Sequence, residues 1–157
     1  MSTEPSVLRD AAFMHALLDL LIPPGDDGRM PGAGSLGLSA ELADALEADV
    51  RFGRAVESAL RALRDAALER DAGGFAALSP AARLEVLEAQ LERYPELLRG
   101  LTTPLYLAYY QHPAALAGLG QPPRPPFPGG FEVDETSPVL LETLRARART
   151  QPSPPPP

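Results

Sequence analysis

The sequence predicts an all-α protein: a single irregular bundle of about five to seven helices, with long Pro/Gly-rich loops and a disordered C-terminal tail. Three observations support this fold class. Apolar residues recur at three- and four-residue spacing through most of the chain, which is the helical period. No segment shows sustained alternation of apolar and polar residues, which is the strand period. Proline and glycine fall between the periodic segments, where they end helices.

Two helices are predicted in the first third of the chain. A broad apolar arc predicts a central helix from about Val7 to Ile22, and Pro23-Pro24 ends it because proline cannot donate to the helical ladder. The segment from Pro23 to Ser35 is rich in Gly, Asp and Pro, so it is predicted to be a long loop. Ser39 is then predicted to cap a short helix that reaches about Ala48.

A long amphipathic helix is predicted from about Val50 to Arg70, ended by Gly73-Gly74. One face carries acidic and basic residues four apart, and each such pair contributes only about 0.2–0.5 kcal/mol. The opposite face is the apolar stripe that should enter the core. The predicted pairs are Glu57–Arg61 and Arg61–Asp65, and the stripe consists of Phe52, Val56, Leu60, Leu63 and Ala67.

Proline marks the start of each remaining helix. Ser79-Pro80 predicts a cap followed by the first residue of a helix that reaches about Arg93. The later helices are predicted over Pro95–Gln111 (bent or split near Pro104), near Pro113–Leu119 and near Pro138–Arg149. The helix after Pro80 is expected to bury Leu84, Leu87 and Leu91 and to expose Glu85, Glu88 and Glu92.

Composition limits the function further. The 157 residues carry a net charge of -7 and no cysteine, which argues against broad nucleic-acid binding and excludes disulfides and thiolate chemistry. The longest apolar stretch, Phe13–Ile22, is about half as long as a membrane span. No secretory or twin-arginine signal is visible, so a cytoplasmic location is expected; the alternative is the periplasm, reached with a signal-bearing partner. The predicted domains are a helical domain over residues 1–150 and a disordered Pro-rich tail over residues 151–157.

Only a few residues could carry chemistry. His15 and Asp19 lie four apart on one predicted helix, so they could be metal ligands or a base and its orienting acid, although a half-buried His with a local acid is more common. His112 more readily closes a helix end or lies on a contact surface. A stand-alone hydrolase or metal enzyme built on these three residues is the weakest hypothesis, because so few ligands are present. No catalytic, cofactor-binding or metal-binding residue is predicted.

Two other segments have a structural interpretation beside a functional one. Pro31–Gly34 reads PGAG, which lacks the pattern of a phosphate-binding loop and follows no strand. The cluster of Tyr106, Tyr109 and Tyr110 could stack a flat ligand, but at helical spacing it is more typical of a core residue with an interface rim.

Two segments together resemble a known family. The segment LLDLLIPPGDDGRMPGAGSLGL resembles the opening of the gluconate 2-dehydrogenase subunit 3 family, and LTTPLYLAYYQHPAALAGLGQPPRPPFPGGF resembles its closing motif. The resemblance spans about Leu8 to Phe131, and the order and spacing of the short motifs carry it. The matching residues are Ile22-Pro23, Asp26-Asp27, Pro31-Gly32-Ala33, Gly37, Tyr109, Tyr110, His112, Pro113, Leu119, Gly120 and Pro128-Gly129-Gly130.

The resemblance implies a non-catalytic accessory subunit. Its partner would be a large FAD-dependent dehydrogenase subunit of the glucose-methanol-choline type, as in gluconate 2-dehydrogenase, often alongside a cytochrome c subunit. FAD is then expected on the partner and no cofactor on this chain. Many family members are exported with their flavoprotein, whereas this sequence shows no export signal. The residues expected at the partner interface are Pro31, Gly32, Ala33, Tyr109, Tyr110, His112 and Pro113.

A second hypothesis belongs to another class. A small helical scaffold or regulatory protein could recruit partners through its Pro-rich segments, since extended prolines bind aromatic grooves. Deleting residues 151–157 would abolish partner binding in that case and would change little for an accessory subunit.

Overall fold

The computed structural model describes residues 6–124, 130 and 135–150, and this part of the chain contains helices and no strands. The predicted all-α class is confirmed. The α-helices are α1 (Ala11–Leu21), α2 (Ser39–Glu47), α3 (Val50–Arg70), α4 (Pro80–Leu91), α5 (Glu96–Gln111), α6 (Pro113–Gly118) and α7 (Pro138–Thr150), and short 3-10 helices span Val7–Arg9, Ala33–Leu36 and Phe75–Ala77.

The chain divides into two compact units, residues 1–125 and 126–157. The first unit holds α1 to α6, and the second holds α7, which agrees with the predicted last helix. The predicted tail over 151–157 lies outside the described residues, and the predicted boundary at residue 150 stays a prediction. None of the helices in the described ranges combines the length and the apolar character that crossing a bilayer requires.

One hydrophobic core fills the first unit. Helix α1 packs against the 3-10 helices at residues 33–36 and 75–77, while α3 lies between α4 and α5, and α2 covers α3 and α5. Within the described residues the buried side chains are apolar apart from the hydroxyl of Tyr109, so apolar packing supplies most of what holds this core together. Its fully buried large side chains include Met14, Leu17, Leu18, Leu38, Leu42, Leu60, Leu63, Leu97, Leu101, Leu105 and Tyr109.

Helix α1 begins four residues later than predicted. Asp10 adopts an extended conformation and its side chain accepts a hydrogen bond from the Phe13 backbone N–H at 3.1 Å. An aspartate in this position caps the helix and separates it from the preceding turn, so Val7–Arg9 forms a 3-10 helix of its own. The predicted stop at Pro23-Pro24 is confirmed, since α1 ends at Leu21.

The predicted cap of α2 is wrong. Ser39 is the first helical residue, and Leu38 occupies the cap position without a side-chain hydrogen bond. Leu38 is only 1% exposed, so the core holds this side chain at the helix start, where a polar cap would face apolar neighbours.

Helix α3 has the predicted bounds, and its stripe is buried except for the half-buried Phe52. The Asp49 side chain caps it by accepting from the Phe52 N–H at 3.1 Å. Arg61 pairs with Glu57 at 3.1 Å as predicted, whereas Asp65 pairs with its neighbour Arg64.

Helix α4 starts with the predicted Ser79 cap and Pro80, but its buried face is rotated from the prediction. Leu84 is 46% exposed, and Val86 is buried beside the correctly predicted Leu87. At 3.6 residues per turn, Leu84 lies about 110° from the direction midway between these two residues, so it points away from the core. Leu91 is half-buried, and the three glutamates are exposed as predicted.

Helix α5 runs unbroken through Pro104, so of the predicted bend or split the split does not occur. Leu101 and Leu105 are each 1% exposed, on either side of the proline. Their burial holds the helix together across the hydrogen bond that the proline cannot donate.

Candidate functional site

The two segments that carry the sequence resemblance meet in space. The Tyr109 hydroxyl on α5 donates a hydrogen bond to the Pro31 backbone oxygen at 2.7 Å, across 78 residues of sequence. Tyr109 is only 1% exposed, and Pro31 is half-buried. This bond joins the loop after α1 to the tyrosine-rich end of α5, which makes one site of two separate motifs.

Asp19 anchors the same loop to α1. Its Oδ1 accepts the Gly34 backbone N–H at 2.8 Å, and its Oδ2 lies 3.2 Å from His15 Nε2. The Ala33 N–H also donates to the Ile22 oxygen at 3.0 Å. The loop is therefore fixed to α1 at two points and to α5 at a third. Nothing in the sequence signalled the Asp19–Gly34 bond, because the two residues lie 15 apart and on different elements.

Glycine is needed where the loop crosses α1. A Cβ on Gly32 would overlap Asp19 Oδ1, and a Cβ on Gly34 would overlap the His15 backbone oxygen. Neither residue has a positive φ, so the requirement is space and not backbone conformation. The PGAG segment is thus a close-packing motif, in which the glycines let the loop backbone approach the helix.

His112 closes a helix end, as predicted. It ends α5 and caps α6, and its Nδ1 accepts the Ala114 N–H at 3.2 Å. Pro113 follows as the first residue of α6, where a missing N–H costs nothing.

The predicted interface residues lie at different depths. Gly32, Ala33 and Tyr109 are buried, so they cannot contact a partner directly and can only support the residues that are exposed. Pro31 and His112 are half-buried, while Tyr110 and Pro113 are exposed. Tyr106 is also exposed. The tyrosine cluster therefore consists of one core residue, Tyr109, and two exposed residues at its rim, as its helical spacing predicted. The role of these residues in partner binding stays a prediction.

The site offers hydrogen bonds and apolar contacts. His15 faces solvent beside its acid, and in the described part of the chain no group of three His, Cys, Asp or Glu residues is arranged to hold a metal ion. An open groove of 830 Å³ lies elsewhere, between α2, α3 and the turn at residues 7–9.

A family model described as gluconate 2-dehydrogenase subunit 3 matches residues 9–117. The chain belongs to this family. No curated protein and no solved structure gives a significant match. The matched range contains both anchored segments of the site and ends within α6. Of the residues on which the resemblance was based, Leu119, Gly120 and 128–130 lie beyond it, and Pro128 and Gly129 also lie outside the described residues.

In this member of the family, replacing Tyr109 with phenylalanine should lower the unfolding free energy by an amount that depends on pH. Burial raises the pKa of the Tyr109 hydroxyl above its ordinary value of 10.0, and the nearby Tyr110 raises it further. The stability from the neutral hydroxyl is therefore complete below about pH 10 and is lost as the pH rises through the folded-state pKa. We expect Tyr109→Phe to cost about 1 kcal/mol of unfolding free energy at neutral pH.

The measurement is urea unfolding at about pH 8 and about pH 11. The parent should lose more stability between these two pH values than Tyr109→Phe does. Tyr106→Phe is the matched control, because its ring is 46% exposed, and it should behave as the parent. Equal pH dependence in the parent and Tyr109→Phe would contradict the proposed contribution of the buried hydroxyl.

Proposed function

We propose that this chain is the non-catalytic small subunit that binds and supports a large FAD-dependent dehydrogenase subunit of the glucose-methanol-choline type. The match to the gluconate 2-dehydrogenase subunit 3 family over residues 9–117 is the observation that carries the proposal. In this proposal FAD and the catalytic residues belong to the large subunit, and a cytochrome c subunit is a further candidate member of the complex. The compartment of the complex is then set by whichever subunit bears a targeting signal.

The geometry of the site supports a binding role. The loop after α1 is held by the Tyr109–Pro31 and Asp19–Gly34 hydrogen bonds before any partner arrives. A surface that is already ordered loses less conformational entropy on binding than a flexible loop does. The chain therefore offers its partner a rigid platform.

Co-purification from the native host tests this function. An affinity-tagged chain should bring down a flavoprotein that releases FAD and that peptide mass spectrometry assigns to the glucose-methanol-choline type. Dehydrogenase activity towards gluconate or a related sugar acid should be found in the complex and not in the isolated chain. Recovery of the tagged chain without a flavoprotein, or substrate turnover by the flavin-free chain alone, would refute the proposal.

A truncated variant distinguishes the proposed accessory subunit from a scaffold protein that recruits partners through its Pro-rich tail. Removing residues 151–157 should leave the recovered flavoprotein unchanged, since the family match ends well before them. Loss of the flavoprotein with this truncation would instead favour recruitment through the Pro-rich tail.

A further inference from the structure

The segment that carries the tyrosine cluster contains no charged residue, and the charged residues next to it come from other parts of the chain: Asp49 and Arg99 line a groove with Leu107, and Arg29 lines one with Leu119. Residues 100–123 contain no Asp, Glu, Arg or Lys, and this is the longest such run in the sequence. The chain is 22% charged overall, so a run of this length would ordinarily hold about five charged residues. The run covers most of α5, all of α6 and the turn that follows.

Much of this uncharged run faces solvent. Six exposed residues form what we call the uncharged face: Tyr106, Leu107, Tyr110, Pro113, Ala117 and Leu119. Leu107 is 59% exposed, and Tyr110 and Leu119 are each 49% exposed. An exposed surface that is rich in aromatic and aliphatic groups and depleted of charge has the composition of a protein–protein interface core.

The two exposed tyrosines belong to a chain of ring contacts that begins at the buried Tyr109. The Tyr110 ring meets the buried Tyr109 ring edge-on, with centroids 5.1 Å apart, and lies 6.1 Å from the Tyr106 ring. Tyr109 is in turn hydrogen-bonded to Pro31. The exposed rings are therefore positioned by the same contacts that fix the loop, so a partner would meet them nearly preorganised.

A shallow groove of 660 Å³ adjoins the face beside α6. It is lined by Arg29 on one side and by Ala117 to Gly120 on the other. Gly118 keeps the loop and the helix close, because a Cβ there would overlap the Arg29 backbone oxygen. The groove is therefore a recess at the edge of the face, and Arg29 is the charged residue in its lining.

We propose that the uncharged face is the surface that docks onto the large flavoprotein subunit, against an uncharged apolar and aromatic surface of that subunit. This inference rests on the proposed function. It differs from the interface expected from the sequence because it moves the contact onto Tyr106, Leu107 and Leu119 and places Tyr109 beneath it.

Electrostatics favours this occupant over two others. An anionic bilayer attracts clusters of Lys and Arg, which residues 100–123 lack, and it repels a chain of net charge -7. Two copies of so acidic a chain repel each other as well. The family description places the chain in a complex as one of several subunits, and the matched range includes most of the face.

The test compares charge insertions on and off the face in the tagged full-length chain. Tyr110→Glu and Leu107→Glu place a carboxylate in the face, so each should reduce the recovered flavoprotein at least about tenfold. Leu84→Glu is the matched control, because Leu84 on α4 is 46% exposed and lies outside the face. It should recover as much flavoprotein as the parent. Thermal unfolding of each free variant near the parent value shows that the fold is intact.

Several results would overturn the inference. If the parent binds the flavoprotein and both face variants bind it equally well, the face is wrong while the proposed function stands. If the parent brings down no flavoprotein, both fail. A dimer of the chain, or co-sedimentation with phosphatidylglycerol vesicles, that Tyr110→Glu abolishes without changing flavoprotein recovery would assign the face to a second copy or to a membrane.

Discussion

Replacing Gly34 with alanine is expected to lower the unfolding free energy by about 3 kcal/mol, which is a large part of the stability of a domain of this size. The added Cβ would overlap the His15 backbone oxygen and lie 2.9 Å from the Asp19 carboxyl carbon. The carbonyl belongs to α1 and cannot rotate away as a side chain can, so the loop must move. Movement would lengthen the Asp19–Gly34 hydrogen bond.

Urea unfolding of Gly34→Ala measures this effect. Asp26→Ala is the control, because Asp26 is an exposed residue of the same loop and should change stability by less than about 0.5 kcal/mol. A Gly34→Ala protein as stable as the parent would show that the loop does not pack on α1 as described.

A double-mutant cycle adds a sharper distinction between the two glycines. The Gly32 overlap is with the Asp19 side chain, so Asp19→Ala should relieve part of the cost of Gly32→Ala. The same change should not rescue Gly34→Ala, whose main overlap is with backbone. Rescue of both variants, or of neither, would contradict this arrangement.

Replacing Leu63 with alanine is expected to cost about 3–5 kcal/mol. Leu63 is fully buried on α3, so the change removes apolar contacts and leaves a cavity between helices. The measurement is again urea unfolding. The urea concentration at the unfolding midpoint should fall, while the dependence of the unfolding free energy on urea concentration should stay as in the parent.

Leu68→Ala on the same helix makes the identical chemical change at a residue that is 47% exposed. It should cost less than about 1 kcal/mol, because little additional surface is uncovered. Similar losses for the two variants would mean that the buried face of α3 has been assigned wrongly.

The Gly34 prediction also bears on the proposed binding surface. The loop after α1 and the end of α5 share the Tyr109–Pro31 hydrogen bond. A Gly34 variant that shifts the loop should therefore also displace Tyr109 and the Tyr110 ring that packs on it. It should reduce flavoprotein recovery even though Gly34 lies apart from the uncharged face.

The sequence was sufficient wherever a local signal acts within a few residues. The bounds of α3, the Ser79 cap with Pro80, and the cap formed by His112 were all predictable, because periodicity, capping and proline chemistry depend on neighbours in the chain. The family assignment also followed from short motifs in a fixed order, which the match over residues 9–117 supports.

Competition between local and distant contacts explains the errors. Ser39 is a good capping residue, but the core buries Leu38 and moves the start of α2. Leu84 fits a helical stripe by spacing, yet the surface of the neighbouring elements decides which edge of α4 faces inward. Pro104 is a helix breaker locally, while burial on both sides keeps α5 continuous.

The sequence by itself determined an all-helical chain, the approximate position of its helices and the family to which it belongs. Only the tertiary structure decided that Tyr109 reaches Pro31, that Asp19 holds Gly34, and which tyrosines remain at the surface. The physical reason is that helical periodicity is written in neighbouring residues, whereas these hydrogen bonds and burials join residues whose approach depends on how all the helices pack together.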